Sequence, residues 1–302
     1  MKYIIGTRGS KLALVQTELV IKNLKSAYPQ DEFIAKVIKT TGDMDQKRRL
    51  DEIGSKGIFV KEIEDELLDG TISMAVHSMK DMPDEPAEGL IFAKAWKRED
   101  PRDVLILKKA ESLDELPYRA VIGTGSKRRA YQISAMRPDL KIVSIRGNVD
   151  TRIRKLKEGQ LCEGEILDGI VIAAAGIKRI GRADEITQYL SCDEMIPAPA
   201  QGTLAIELKA DNLDLLEKLN ALSDEAAQES VDAERGFLKQ IGGNCHLPVA
   251  AYCDKTDKGT FRLRAMFGTE DGSRLAFTDI TDDDTEKIVE RAVEEIRRQL
   301  EK

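Results

Sequence analysis

Short apolar runs alternate with stretches of helical period through the first two thirds of the chain, and this alternation restricts the fold more than any other feature. Residues 2–5 (KYII) read as a buried strand, and from Ser10, a fitting N-cap, Leu12, Val15 and Leu19 follow a helical period. Residues 33–39 (FIAKVIK) read as a second strand and 59–70 as a second helix closed by Gly70. A third strand spans 72–78, where Ile72, Met74 and Val76 alternate. Such a βαβαβ run favours a parallel sheet with helical crossovers.

The same pattern restarts after the charged, proline-containing segment 97–103 (KREDPRD), which reads as a crossing between domains. VLILK is a strand, and Ser112 to Glu115 (SLDE) fit the capping box of a short helix. AVIGTGS leads into a helix from about Ser126; KIVSI (141–145) and GIVIAAAG (169–176) each lead into another. IPAPAQG (196–202) reads as a second crossing, and TLAIEL (203–208) returns the chain to the first domain. Two crossings imply that one α/β domain is inserted in another. Beyond them the style changes. A helical stretch over 224–240 ends at IGGNC, hairpin-like strands follow, and Ile288, Val289, Ala292, Val293, Ile296 and Leu300 mark an amphipathic C-terminal helix. The expected division is domain 1 (residues 1–98 and 199–215, α/β, discontinuous), domain 2 (99–198, α/β, inserted) and domain 3 (216–302, α+β).

Composition narrows the function. The longest nearly unbroken apolar run, Ile170 to Ile177, is far short of the roughly 20 residues of a membrane span, and the start MKYIIGTRGS lacks the apolar centre of a secretory signal. A cytoplasmic location is expected. Cys162, Cys192, Cys245 and Cys253 form no CxxC pair and the chain has only two histidines, so neither a disulfide framework nor a structural metal is expected. A net charge of −7 argues against a nucleic-acid binder unless a local basic cleft exists.

The placement of the positive charges is therefore decisive. Ligands of open α/β sheets bind beyond the carboxyl ends of the strands. There lie Arg8 after the first strand, Lys80 and Asp81 after the third, Arg128 and Arg129 in TGSKRR, Arg146 and Arg152 in RGNVDTR, and Lys178 and Arg179 after IVIAAAG. Any one of them reads readily as a solvated surface charge. The set does not, because Lys127, Arg128 and Arg129 occupy a first helical turn, where the macrodipole disfavours cations by about 0.3–1 kcal/mol each. Gly123, Thr124, Gly125 and Ser126 add backbone donors at that helix start. The implied ligand is an anion with several separated negative groups. With no Walker or GxGxxG pattern at a strand-to-helix turn, a polycarboxylate suits the scattered arginines better than a nucleotide.

Two further residues carry possible chemistry. Asp81 in VHSMKDMP is out of place in an anion site unless it handles a proton or a developing cation; it reads equally as a partner of Lys80 or a turn residue before Pro83. Cys245 follows Gly242, Gly243 and Asn244 and precedes Pro248, so it reads as a thiol on an exposed, sharply turning loop, against the commoner role of inert core cysteine.

The motifs GTRGSKLALVQ, GSKGIFVKEIE, AVHSMKDMP, REDPRDVL, IGTGSKRR, IRGNVDTR, AAAGIKRIG, PAQGTLAIE and GGNCHLPVAAY occur in this order. By them the chain resembles the porphobilinogen deaminase (hydroxymethylbilane synthase) family over nearly its whole length. The resemblance implies two domains like type II periplasmic binding proteins with an active-site cleft between them, plus a third domain presenting a cysteine. It implies a transferase of tetrapyrrole (haem) biosynthesis. Such an enzyme joins four porphobilinogen molecules head to tail with release of ammonia and frees the linear tetrapyrrole hydroxymethylbilane, starting from a dipyrromethane cofactor. Cys245 matches the residue that holds the dipyrromethane through a thioether, and Asp81 the catalytic aspartate. Lys80, Asp81, Thr124, Ser126, Arg128, Arg129 and Arg146 match cofactor-binding positions; Arg8, Ser10, Arg146, Arg152 and Arg179 match substrate-binding ones. A monomer without nucleic-acid or membrane partners is expected. Asn244 stands where the family usually has glycine, and Glu52 and Ser55 replace commoner residues in a loop before Lys56 and Gly57. Two rival readings are a pure ligand-binding module, which gives Cys245 no role, and a nucleic-acid binder, which the net charge disfavours.

Overall fold

A computed structural model describes residues 1–40, 60–243 and 247–301. In chain order the strands are β1 (Lys2–Arg8), β2 (Glu32–Ile38), β3 (Met74–Ser78), β4 (Leu90–Phe92), β5 (Asp103–Leu107), β6 (Val121–Gly123), β7 (Lys141–Val143), β8 (Leu161–Cys162), β9 (Glu165–Ile166), β10 (Gly169–Ala173), β11 (Gln188–Leu190), β12 (Leu204–Lys209), β13 (Val249–Lys255), β14 (Phe261–Gly268) and β15 (Leu275–Asp282). The helices are α1 (Lys11–Ala27), α2 (Lys61–Leu68), α3 (Lys127–Met136), α4 (Val149–Glu158), α5 (Ala174–Arg179), α6 (Leu213–Asn220), α7 (Glu225–Ile241) and α8 (Thr285–Leu300). They fall into two compact units, Met1–Arg98 with Thr203–Gln228, and Glu99–Gly202 with Glu229–Lys302.

The first unit is built on a five-stranded sheet in the order β2-β1-β3-β12-β4. Helix α1 starts at Ser10, whose hydroxyl accepts from Ala13 N, and buries Ala13, Thr17, Val20 and Leu24, one stripe at helical spacing. Val20 and Leu24 of that stripe join Ile5, Phe33, Met74, Val76, Ile206, Leu208, Leu215 and Leu219 in one core. The opposite face packs Ile63 and Leu67 of α2 on Ile38, Ile72 and Ala75. Strand alternation assigns these faces: Met74 and Val76 point one way, Ala75 and His77 the other.

The second unit holds a sheet in the order β11-β5-β10-β6-β7, a two-stranded hairpin β8-β9, and a three-stranded antiparallel sheet β13-β14-β15. Helix α8, capped by Asp284 accepting from Glu286 N and Lys287 N, buries Ile288, Val289, Ala292, Val293 and Ile296. These side chains share a core with Phe237, Leu263 and Ile280. Ile296 has no exposed surface, so truncating it to alanine would cost about 2–5 kcal/mol.

The α/β architecture holds, but neither large sheet is wholly parallel as the sequence pattern suggests. β1 runs parallel to β2 and β3, whereas β12 is antiparallel to both β3 and β4. β10, β6 and β7 are parallel, whereas β5 is antiparallel to β10. The register supplies the reason. Leu204, the first residue of β12, lies opposite Ser78 at the carboxyl end of β3, and Asp103 at the start of β5 lies opposite Ala173 at the carboxyl end of β10. Each crossing segment thus delivers the chain to the carboxyl edge of its sheet, and a strand entering there must run back against its neighbours. Of the box at Ser112 and Glu115 only one half forms: Glu115 N donates to Ser112 Oγ, but Glu115 Oε2 accepts from Glu111 N instead of Ser112 N, and no helix follows. Pro117 disfavours the helical conformation of Leu116 and ends the turn. Among the described residues no helix is long and apolar enough to cross a membrane.

Candidate active site

Because β1 and β3 are parallel neighbours, their carboxyl ends bring Arg8 and Ser10 to the same edge of the first sheet as Lys80 and Asp81. Arg8 and Lys80 are half-buried and Asp81 is exposed. The end of β3 is fixed by three bonds: Gln16 Nε2 donates to Ser78 Oγ at 3.0 Å, Met79 N to Thr203 O at 3.0 Å, and Met82 N to Met79 O at 3.1 Å. The chain then makes the 3-10 turn Met79–Asp81, which carries Lys80 and Asp81 off the sheet edge.

In the second unit the carboxyl ends of β6, β7 and β10 bring the remaining sequence-selected residues to one sheet edge. Ser126 caps α3, accepting from Arg129 N, and Ser126 N donates to Thr124 Oγ1 at 3.2 Å. The first N–H groups of a helix have no carbonyl within it to bind, so those of Lys127 and Arg128 remain available as anion donors. Gly125 is required here: a Cβ on it would stand 3.0 Å from Ile145 O and 4.0 Å from Arg152 Nη2. The missing side chain lets the turns after β6 and β7 meet, and it places the Arg152 guanidinium beside the start of α3. Arg152 Nε donates to Gly147 O at 2.7 Å and Lys155 Nζ to Arg146 O at 3.2 Å. Arg146 and Arg152 are half-buried.

Arg128 and Arg129 are held differently from the rest. They are only 4% and 5% exposed, and both face Asp103, which has no exposed surface. Arg128 Nη1 donates to Asp103 Oδ2 and to Ile196 O, both at 2.7 Å; Arg129 Nε donates to Asp103 Oδ1 at 2.9 Å, and Gln201 Nε2 reaches the same oxygen at 3.0 Å. Burial alone would raise the Asp103 carboxyl, but Arg128 and Arg129 override it and hold the group well below the usual carboxylate range. This explains how cations tolerate the first turn of α3. Two guanidinium groups against one carboxylate still leave a positive charge in surplus at the sheet edge.

Arg179, at the end of α5, donates through Nη2 to Gly202 O at 2.6 Å, while its buried Nε meets no acceptor among the described residues. Burial pushes its guanidinium down to about 10, so it remains charged at neutral pH. Cys245 lies outside the described residues, as do Asn244 and the loop residues Glu52, Ser55, Lys56 and Gly57. Of the other cysteines, Cys162 and Cys253 are buried and Cys192 is half-buried.

Sequence reasoning missed Asp103, Gln201 and Glu234. Asp103 had one available signal, a lone carboxylate opening the apolar run DVLIL, since aspartate is almost never fully buried unless paired. Glu234 of α7, also buried, accepts from Ala200 N at 2.6 Å and Cys253 N at 2.9 Å. It holds Ala200 in a left-handed conformation, φ 58°, next to Gln201. Nothing in the helical pattern marks that role.

A surplus of buried positive charge, an Arg179 nitrogen without an acceptor and open helix donors fit a bound group bearing several carboxylates, as dipyrromethane does. Comparison with known proteins agrees. Residues 3–217 match the family model described as porphobilinogen deaminase, dipyromethane cofactor binding domain, and residues 228–298 match porphobilinogen deaminase, C-terminal domain. The porphobilinogen deaminase of Lachnospira eligens is 57% identical over 288 residues, spanning 95% of this chain and 96% of that protein. That of Clostridioides difficile is 52% identical over 284 residues, spanning 94% and 92%. Among solved structures, an arginine-specific periplasmic binding protein of Salmonella typhimurium matches with a TM-score of 0.40 at 15% identity over 75% of this chain and 93% of that one. With both family models in sequence order and relatives above half identity along nearly its full length, the chain belongs to the porphobilinogen deaminase family.

Proposed function

We propose that the chain joins four porphobilinogen molecules head to tail, releasing ammonia at each step, to give the linear tetrapyrrole hydroxymethylbilane for haem and related tetrapyrroles. The observation that carries this reading is the surplus positive charge at the sheet edge of the second unit, within the segment matched by the cofactor-binding family model. Each pyrrole of substrate and product bears an acetate and a propionate, so a growing chain gathers carboxylates that cations must offset. Bound dipyrromethane supplies the pyrrole carbon from which growth starts.

In this reading Cys245 holds that group through its sulfur. Ser126 and the open N–H groups of α3, with Thr124, Arg128, Arg129, Arg146 and Lys80, bind its carboxylates; Arg8, Ser10, Arg146, Arg152 and Arg179 bind those of incoming porphobilinogen. Arg128 and Arg129 act in part through their charge, since Asp103 already takes their nearest donors. Asp81 accepts from pyrrole N–H, offsets positive charge as the amine departs, and carries the proton that the pyrrole carbon gives up and the leaving amine takes. Its exposed position on a short turn beyond the sheet edge supports that role.

The three-domain division at 1–98 with 199–215, 99–198 and 216–302 belongs to the same proposal. Its third part is supported by the separate core of the three-stranded sheet with α7 and α8. A cytoplasmic monomer that binds no nucleic acid is likewise part of the proposal; the net charge of −7 supports only the absence of nucleic acid.

The test is intact-protein mass. The native chain is expected to exceed its sequence mass by a two-pyrrole adduct that disappears in Cys245→Ala. A native mass equal to the sequence mass would refute the reading and favour a plain binding module.

A further inference from the structure

Near the end of β3, on the α2 side of the first sheet, lies a buried polar pair that the mechanism above does not use. His77 Nε2 is 3.3 Å from Glu207 Oε2, and the two side chains are 5% and 0% exposed. They reach each other diagonally across the β3–β12 ladder, in which Ala205 faces His77 and Glu207 faces Ala75. Among the described residues neither Glu207 oxygen nor His77 Nε2 makes a hydrogen bond of good geometry. Glu64 on α2 faces the pair, and burial together with the charge of Glu207 pushes its carboxyl up.

Such a pair is poor packing material. Buried polar side chains without good hydrogen bonds around them are often no more stabilising than apolar side chains of the same size. Apart from Glu64, the pair lies beside an apolar cluster of Ile38, Ile63, Leu67, Ile72, Ala75 and Leu90. What the cross-strand contact of a ring nitrogen with a carboxylate oxygen supplies and leucines do not is a preferred partner in one register. That register matters here because Ser78 is the last residue of β3 and Asp81 is three residues beyond it. From the α1 face the strand end is held by Gln16 on Ser78. On the opposite face His77 lies against Glu207 at that level.

We propose that His77 and Glu207 are positioning residues: their pair fixes the end of β3 against β12, so that the turn carrying Lys80 and Asp81 leaves the sheet in one direction. This inference rests on the assignment of Asp81 to the chemistry.

The test compares the holoprotein with His77→Leu/Glu207→Leu, which keeps volume and removes the pair, and with His77→Gln/Glu207→Gln, which keeps a polar cross-strand link. Cofactor loading is checked by mass for each. The leucine pair is expected to melt no lower than the parent, yet to lose at least tenfold in kcat with KM within twofold. Its amide exchange at Met79 and Met82 should be at least tenfold faster. The glutamine pair should recover most of the lost turnover. A folded leucine pair with kcat and exchange within twofold of the parent overturns the proposal, as does a glutamine pair no better than the leucine pair. Should the leucine pair not fold, Glu207→Gln decides alone by the same kcat and KM criteria. Asp81→Asn, measured alongside, separates the two ideas. If it retains normal turnover, both fall; if it is inactive while the leucine pair is unaffected, only the positioning role falls.

Discussion

Asp103 Oδ2 lies 2.7 Å from Arg128 Nη1, and the same carboxylate binds Arg129, so one fully buried acid neutralises part of the cationic start of α3. The relationship makes the arginine array foldable: without it, two desolvated guanidinium groups would repel each other beneath a helix terminus that already disfavours them.

Asp103→Asn is therefore expected to lower unfolding free energy at pH 7 by about 3–5 kcal/mol, the cost of leaving buried charge unpaired. The folded carboxyl sits below its unfolded value, which is about 3.9. Its stabilisation is thus complete above that pH and fades as pH falls toward the folded value. Denaturant titrations should show the gap between parent and variant narrowing by about 1 kcal/mol between pH 7 and pH 3. A constant gap would contradict the pairing.

Asp81 is exposed and its removal breaks no buried network. Asp81→Asn should leave stability within about 0.5 kcal/mol of the parent and keep the covalent adduct. Turnover should fall by about 100-fold or more, the usual share of a positioned acid or base. Assays of product formation on protein verified by mass and melting curve check this, and near-normal turnover would remove Asp81 from the chemistry.

Arg152 gives a cleaner test of carboxylate binding than Arg128. It is half-buried beside Gly125, whereas Arg128 is locked against Asp103 and Ile196. Arg152→Leu should cost about 1 kcal/mol of stability, the worth of its bond to Gly147. It should also lower kcat/KM by about 10- to 100-fold, the worth of one charged hydrogen bond. Arg128→Leu should lose both activity and about 3–5 kcal/mol of stability, so chemical denaturation distinguishes the two.

Glu234 ties Ala200 to Cys253 through two backbone N–H groups in the core of the second unit. Glu234→Ala leaves both donors buried without that acceptor, at about 1–3 kcal/mol for each. The expected result is a melting temperature several degrees lower with kcat per folded molecule little changed. A large loss of kcat at unchanged stability would instead give the carboxylate a part in the reaction.

How much of this was legible in the chain follows from how far each interaction reaches. Ser10 was readable as an N-cap and Ser126 as a helix start, because such a start is set by residues three apart. The amphipathic α8, the crossings near residues 98 and 202, and the cations at strand ends were readable for the same reason. Sequence alone therefore determined most of the strand–helix alternation and the chemical character of the ligand. The tertiary structure decided the strand directions of β5 and β12, the burial of Asp103 under Arg128 and Arg129, and the meeting of His77 with Glu207. Those partners are 25 or more positions apart, and no local period encodes which buried charge will face which. Only the packed sheet, by excluding water from Asp103 and Glu207, makes each of them require a partner.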